Sequence, residues 1–226
     1  MPSRRRACGA VWNDHSMQEA FMFQIIDQSL FELINVSAHN AVFNFVVPLF
    51  SQVWLMWVGA LICVVTYAVH CWRSSLEPVG RVLMLVLLMG LSVGVTDITT
   101  SAMKSSIDRD RPCQVLTGTN YYDIATDQWL VIDENSTEAE GLGGSMPSSP
   151  SAACMAVAVV LSMLFYRSNP WVYLLPFSVG FSQVYTGRNY PFDVVVGWMI
   201  GLVSVIAVWW ICHLIIIRFS SHRRIG

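Results

Sequence analysis

Apolar residues in this 226-residue chain gather into runs too long and too unbroken for the amphipathic helices of a soluble domain. A helix needs about 20 apolar residues to cross a hydrocarbon layer of about 30 Å. Residues 53–72, 82–103 and 192–217 meet that length. Residues 151–166 and 171–185 are shorter, and only Arg167-Ser-Asn-Pro170 parts them, which predicts a helical hairpin. A buried soluble helix pair is the competing reading, and it sits badly beside three full-length spans. Residues 18–36 carry apolar positions at mixed spacings of three and four with Asp27 and Glu32 among them, which suits a helix lying in the interface. Residues 40–52 are apolar but interrupted by Asn44 and Pro48, and read either as the start of the first span or as a re-entrant approach to it. The expected fold class is all-α, a polytopic membrane helix bundle of five or six transmembrane helices. Residues 1–40 form an N-terminal segment, residues 41–226 the membrane domain, and residues 113–146 an outer loop.

Composition agrees. The chain is 54% hydrophobic and 12% charged, against about 25% charged residues in soluble domains. The bilayer is therefore the first expected partner, and with a net charge of −2 no nucleic acid is expected. The basic residues are placed asymmetrically. Arg73, Arg81, Arg167, Arg218, Arg223 and Arg224 fall on one side of a five-span layout, which the positive-inside rule assigns to the cytoplasm together with the C-terminus. Trp72 and Trp171 mark the same boundary. The loop on the other side holds Asp123, Asp127, Asp133, Glu134, Glu138 and Glu140 and has no Lys or Arg. Arg4, Arg5 and Arg6 disagree with five spans, and a sixth crossing within 18–50 would reconcile them. No apolar region follows these arginines closely enough for a cleavable signal.

Cys63, Cys71 and Cys212 fall in spans as small apolar fillers. Cys113 and Cys154 border the outer face, either as a disulfide or as two free thiols. Asn135-Ser-Thr137 matches a glycosylation acceptor. No Cys or His spacing resembles a zinc site, so neither a metal nor another cofactor is expected.

Three polar segments meet at the outer face in this topology. The first, Lys104-Ser-Ser-Ile-Asp-Arg-Asp-Arg111-Pro112, leaves the second span. On a continuing helix Lys104 and Arg111 would point the same way about 10 Å apart, with Pro112 ending regular structure. Two such cations suit a phosphate, Arg by paired hydrogen bonds and Lys as a point charge. A basic cap snorkelling at a helix end is the plainer reading, as is pairing of Asp108 and Asp110 with Arg109 and Arg111. The second segment, Met146-Pro-Ser-Ser-Pro150, reads as a helix start with Ser149 at the N-cap and Pro150 at the first helical position. Free amides around Ser148 and Ser149 would attract an anion, unless this is an ordinary capped helix. The third, Ser182-Gln-Val-Tyr-Thr-Gly-Arg-Asn-Tyr-Pro-Phe-Asp193, adds Arg188 and puts Asn189 four residues before Asp193, close enough for a hydrogen bond. Its plainer reading is a turn between two spans.

Together these segments resemble the three-part site of the type 2 phosphatidic acid phosphatase family, over roughly residues 97–198. The resemblance implies the family's phosphatase/haloperoxidase-like helical core and phosphate binding by Lys104, Arg111, Ser148, Ser149, Gln183 and Arg188. Its catalytic positions fall on Pro150, Asn189 and Asp193. Lys104, Arg111, Pro112, Ser182 and Asp193 match the pattern. Pro150 stands where the family has its general-acid histidine, Gln183 where it has a phosphate-binding arginine, and Asn189 where it has the nucleophilic histidine. An amide is no nucleophile at neutral pH and Pro150 has no proton to give, so the phosphohistidine route is closed. Of the five histidines, only His15 and His39 lie where they could reach the outer face, and neither falls in a motif.

Three functions follow. The chain binds a phosphorylated membrane lipid without hydrolysing it; or it is an active phosphatase on a lipid phosphate monoester or pyrophosphate, such as phosphatidic acid or undecaprenyl pyrophosphate, with Ser148, Ser149 or Asp193 as nucleophile; or it is a ligand-free scaffold in which Asp108, Asp110 and Asp193 neutralise Lys104, Arg111 and Arg188. The expected location is a bacterial inner membrane with the site on the non-cytoplasmic face.

Overall fold

The computed structural model describes residues 13–73, 78–133, 142–164 and 170–222. Arg4 to Arg6, the Asn135-Ser-Thr137 sequence, Glu134, Glu138, Glu140, Arg167, Arg223 and Arg224 lie outside the described residues. Helix α1 spans Asn13–Glu32 and runs into a wider π-type turn at Leu33–Ser37. Asn40 then caps α2, Ala41–Val46, accepting from the amides of Val42 and Phe43, and a 3-10 turn at Val47–Ser51 follows. Six further elements of helix complete the bundle: α3 (Val53–Arg73), α4 (Pro78–Ile107), the short α5 (Pro112–Val115), α6 (Ser149–Leu164), α7 (Leu174–Tyr185) and α8 (Pro191–His222). The outer loop carries an antiparallel hairpin of β1 (Asn120–Asp123) and β2 (Gln128–Val131), with Tyr121 opposite Leu130 and Tyr122 opposite Trp129.

By length and composition, two of the described helices are able to cross a membrane, α4 and α8. A third span arises if Phe21–Ser37 and Ala41–Ser51 count as one helix bent by 97°. The break falls at residues 38–40, between the π-type turn at Leu33–Ser37 and the Asn40 cap of α2. Trp57–Arg73 of α3 and Ser149–Met163 of α6 are shorter apolar helices. The hairpin of α6 and α7, joined through a 3-10 turn at Pro170–Tyr173, has the expected form. Val203, Ile206, Trp210, Ile211 and Ile215 to Ile217 turn outward from α8. Such an apolar face would be a liability in water and is the normal surface toward lipid.

Helix α6 is the central post. Ala152, Cys154, Ala156, Ala158 and Val160 are fully buried. Ala156 and Val160 share one core with Leu85 and Leu88 of α4 and Val205 and Val208 of α8. Small residues let the backbones approach, as is usual where lipid gives no hydrophobic push between helices. A Cβ placed on Gly201 would stand 2.3 Å from the Ala152 carbonyl oxygen, and one on Gly197 2.6 Å from that of Ser148. Backbone cannot yield that much, so Gly201→Val is expected to lower stability by about 2–3 kcal/mol. The check is the apparent melting temperature of purified protein in detergent. A melt unchanged from wild type would mean that α6 and α8 do not touch at this point. Cys113 and Cys154 are both free and buried, so of their two readings the free thiols hold.

Candidate functional site

The site lies where α4, α6, α7 and α8 end on one face of the bundle. Asp108, at φ 46, turns the chain out of α4 immediately after Ile107, its amide donating to the Lys104 carbonyl at 3.0 Å. Helix α4 therefore does not continue to Arg111, and Pro112 begins the short helix α5 instead of ending regular structure. The expected two-turn alignment of Lys104 and Arg111 is replaced by a turn that brings them together. The two cations still lie within electrostatic range of each other, and both feel Asp193.

Arg111 spends its guanidinium on carbonyls. Its Nε donates to Gly143 at 3.0 Å, Nη1 to Arg188 at 3.2 Å and Nη2 to Gly144 at 3.4 Å. It thereby ties the loop before α6 to the loop before α8. Arg188 is half-buried, its guanidinium 5.9 Å above the Tyr121 ring, and its Nε is buried without a hydrogen-bond partner.

Asp193 is fully buried in the first turn of α8. It was expected to accept from Asn189, and it does not. Its Oδ2 accepts from the Tyr190 amide at 2.9 Å and its Oδ1 from Arg109 Nη1 at 2.7 Å. The Asn189 amide donates to the Ser145 carbonyl instead. The reason is competition: a guanidinium is a stronger donor to a carboxylate than a neutral amide is. Arg109 Nη2 in turn donates to Asp27 of α1 at 2.7 Å, and the Tyr190 ring covers the guanidinium at 4.0 Å. Burial pushes the Tyr190 phenol up to about 12, against the lowering pull of Arg109. Among the described residues Asp108 and Asp110 make no ion pair, and the ion pairs found there join Arg109 to Asp27 and to Asp193. The expected pairing of Asp108 and Asp110 with Arg109 and Arg111 is thus not found. Nor is the full neutralisation that a ligand-free scaffold calls for.

Helix α6 starts at Ser149, one residue earlier than expected, so Ser148 precedes the helix and Pro150 sits in its first turn. The Ser148 amide is not free: it donates to the Asp193 carbonyl at 3.0 Å. Its fully buried hydroxyl pairs with that of Ser151 at 2.9 Å. Ser149 donates to Thr100 at 3.2 Å. Gln183 is buried, and its carbonyl accepts from the amides of Arg188 and Asn189, both at 3.1 Å. Ser182 binds the Val47 carbonyl at 2.8 Å. His39 stacks on Tyr185 with ring centroids 5.2 Å apart and meets Trp129 edge-on at 4.7 Å.

Three residues of this arrangement escaped the motif reading: Asp27, Arg109 and Ser145. Asp27 had a signal, since an acidic residue inside an apolar stretch marks a buried partner. Arg109 was visible only as one charge among four in Asp108 to Arg111.

The fold and site define a membrane helix bundle with a basic, phosphatase-like face. The sequence profile of the PAP2 superfamily matches residues 85–216, and the chain belongs to that superfamily. It is 29% identical over 92 residues to the bacitracin transport permease protein BcrC of Bacillus licheniformis, a match over 40% of this chain and 43% of that one. The chain thus spans less than half the length of that curated relative. Among solved structures it is similar to LpxE of Aquifex aeolicus, at 19% identity over 81% of this chain and 94% of that one, with a TM-score of 0.57. The first transmembrane PAP2 type phosphatidylglycerolphosphate phosphatase from Bacillus subtilis is similar at 19% identity over 86% and 88%, also with a TM-score of 0.57. At that identity the two structures speak for the fold.

Proposed function

We propose that this chain binds a phosphorylated lipid headgroup at the outer face of a bacterial inner membrane, with its C-terminus in the cytoplasm, and does so without phosphohistidine catalysis. One observation carries the reading: Arg109 takes the carboxylate of Asp193, while among the described residues Lys104, Arg111 and Arg188 form no ion pair. The orienting acid of the family is withdrawn from position 189, and Lys104, Arg188 and the Arg111 N–H donors not spent on carbonyls are left for a phosphate. The other candidate nucleophiles support the same reading. Ser148 and Asp193 are fully buried, each with its side chain engaged. Relatives in bacteria and the one-sided placement of Arg73, Arg81 and Arg218 support the location and orientation.

The test uses purified protein and short-chain phosphatidic acid in neutral detergent. Wild type is expected to bind it, Lys104→Ala with Arg111→Ala to weaken binding at least tenfold, and phosphate release to stay at the blank. Equal binding by the double variant would sink the proposal. Release above the blank would favour the phosphatase reading instead.

A further inference from the structure

We propose that Asp27 and Arg109 set the charge of this anion site, so that helix α1, which lies outside the matched region 85–216, supplies the residue that limits its affinity. This inference rests on the phosphate-binding reading. Asp27 is 3% exposed and commits both oxygens, one to Arg109 Nη2 and one to the Phe192 amide at 2.9 Å. It therefore holds Arg109 and the start of α8 at once.

The Arg109 backbone borders the same ground as the other cations, and its guanidinium holds Asp193, the carboxylate that Lys104 and Arg111 also feel. The Arg109 carbonyl accepts from the Ser145 amide at 2.7 Å, and the Ser145 carbonyl accepts from Asn189. The neighbouring Gly143 and Gly144 carbonyls are those that Arg111 grips. The Arg109 side chain stays 24% exposed. A guanidinium has five N–H donors, so the bonds to Asp27 and Asp193 leave donors over for a ligand. Four cations, Lys104, Arg109, Arg111 and Arg188, then stand against the two buried carboxylates Asp27 and Asp193. Asp97, exposed on α4, faces Lys104 as a further and weaker negative charge, and Asp108 and Asp110 are exposed and form no ion pair among the described residues.

The sign of the expected effect separates this role from a structural one. Asparagine has the shape of aspartate and still accepts from the Phe192 amide. Asp27→Asn therefore keeps the contact with α8, frees one arm of Arg109 and adds one net positive charge to the site. A purely structural Asp27 would do the opposite when replaced, loosening the site and weakening any ligand. The added charge acts more strongly on a dianion than on a monoanion, because Coulomb energy scales with ligand charge.

The probes are short-chain phosphatidic acid, a monoester approaching two charges, and short-chain phosphatidylglycerol, a singly charged diester, bound to the full-length protein in neutral detergent at low salt. Asp27→Asn is expected to tighten phosphatidic acid about tenfold and phosphatidylglycerol about threefold. Arg109→Gln is expected to weaken phosphatidic acid about tenfold, and the double variant to return to within about threefold of wild type, since it loses one charge of each sign. Melting curves accompany each variant. Unchanged or weaker phosphatidic acid binding by a folded Asp27→Asn protein overturns the inference while leaving the phosphate reading standing. If Asp27→Asn alone does not fold, the double variant decides: affinity no better than that of Arg109→Gln overturns it. Wild-type binding that ignores Lys104 and Arg111 overturns both.

Discussion

Full-length protein carrying Pro150→His, Gln183→Arg and Asn189→His is expected to release phosphate from phosphatidic acid only slowly, and adding Arg109→Gln with Asp27→Asn to raise that rate about 100-fold. On the proposed reading, the three substitutions supply the acid, the arginine and the imidazole at the positions that resemble the family's. They do not put back the partner of the imidazole. Asp193 is engaged by Arg109 at 2.7 Å and by the Tyr190 amide at 2.9 Å. A ring at position 189 would share that carboxylate with a guanidinium, which draws off the negative charge that should steady a developing imidazolium. General acid–base groups contribute about 10²–10⁴-fold when well placed, and an ill-matched orienter forfeits part of that. Removing Asp27 together with Arg109 avoids stranding the buried Asp27 carboxylate, which would be strongly destabilising, and leaves Asp193 to the Tyr190 amide and the new ring. Phosphate release from protein in neutral detergent is the measurement. Equal turnover with and without the second pair of changes would show that Arg109 does not compete for Asp193. No turnover in either would mean that positions 150, 183 and 189 are not the reactive ones.

Asp193→Ala is expected to destabilise the protein by about 3 kcal/mol, well beyond Asp193→Asn at about 1 kcal/mol. Asp193 is fully buried, satisfies the Tyr190 amide at the start of α8, and holds one of the two ion pairs of Arg109. Alanine leaves that amide unpaired, removes a favourable negative charge from a helix N-terminus, and leaves Arg109 with Asp27 alone. Asparagine keeps an acceptor for one of the two donors. The partial exposure of Arg109 holds the figure at the low end for a broken buried pair, because water reaches the stranded guanidinium. Apparent melting temperatures in detergent report the difference. A loss below about 1 kcal/mol for the alanine variant would mean that the cluster of Asp27, Arg109 and Asp193 carries little of the fold's stability.

Much of this molecule was legible along the chain. Lengths of apolar runs identify α4 and α8, and the short runs around Arg167 to Pro170 identify the α6 and α7 hairpin, whereas the bend at residues 38–40 was not read from the chain. The spacing of Lys104, Arg111, Ser182 and Asp193 pointed to the superfamily that the matched region bears out. Hydrogen-bond partners were less legible. Asn189 and Asp193 stand four apart on paper and share no bond, because Asp193 finds a charged donor from 84 residues away. Ser149 looked like a cap and is already helical, because Ser148 is the residue held against α8. The hairpin of β1 and β2 drew no notice in a loop read mainly for its acidic residues.

The division has a physical cause. Apolar run length and the identity of residues at fixed spacing are properties of a local stretch, so the sequence alone determined that this chain is a membrane helix bundle of the PAP2 superfamily. Which charges neutralise which is a property of three-dimensional proximity, and only the tertiary structure decided it. Asp27 and Asp193 are 166 positions apart in the chain and share one guanidinium in space. Coulomb energy falls with distance through space, and chain separation does not enter it.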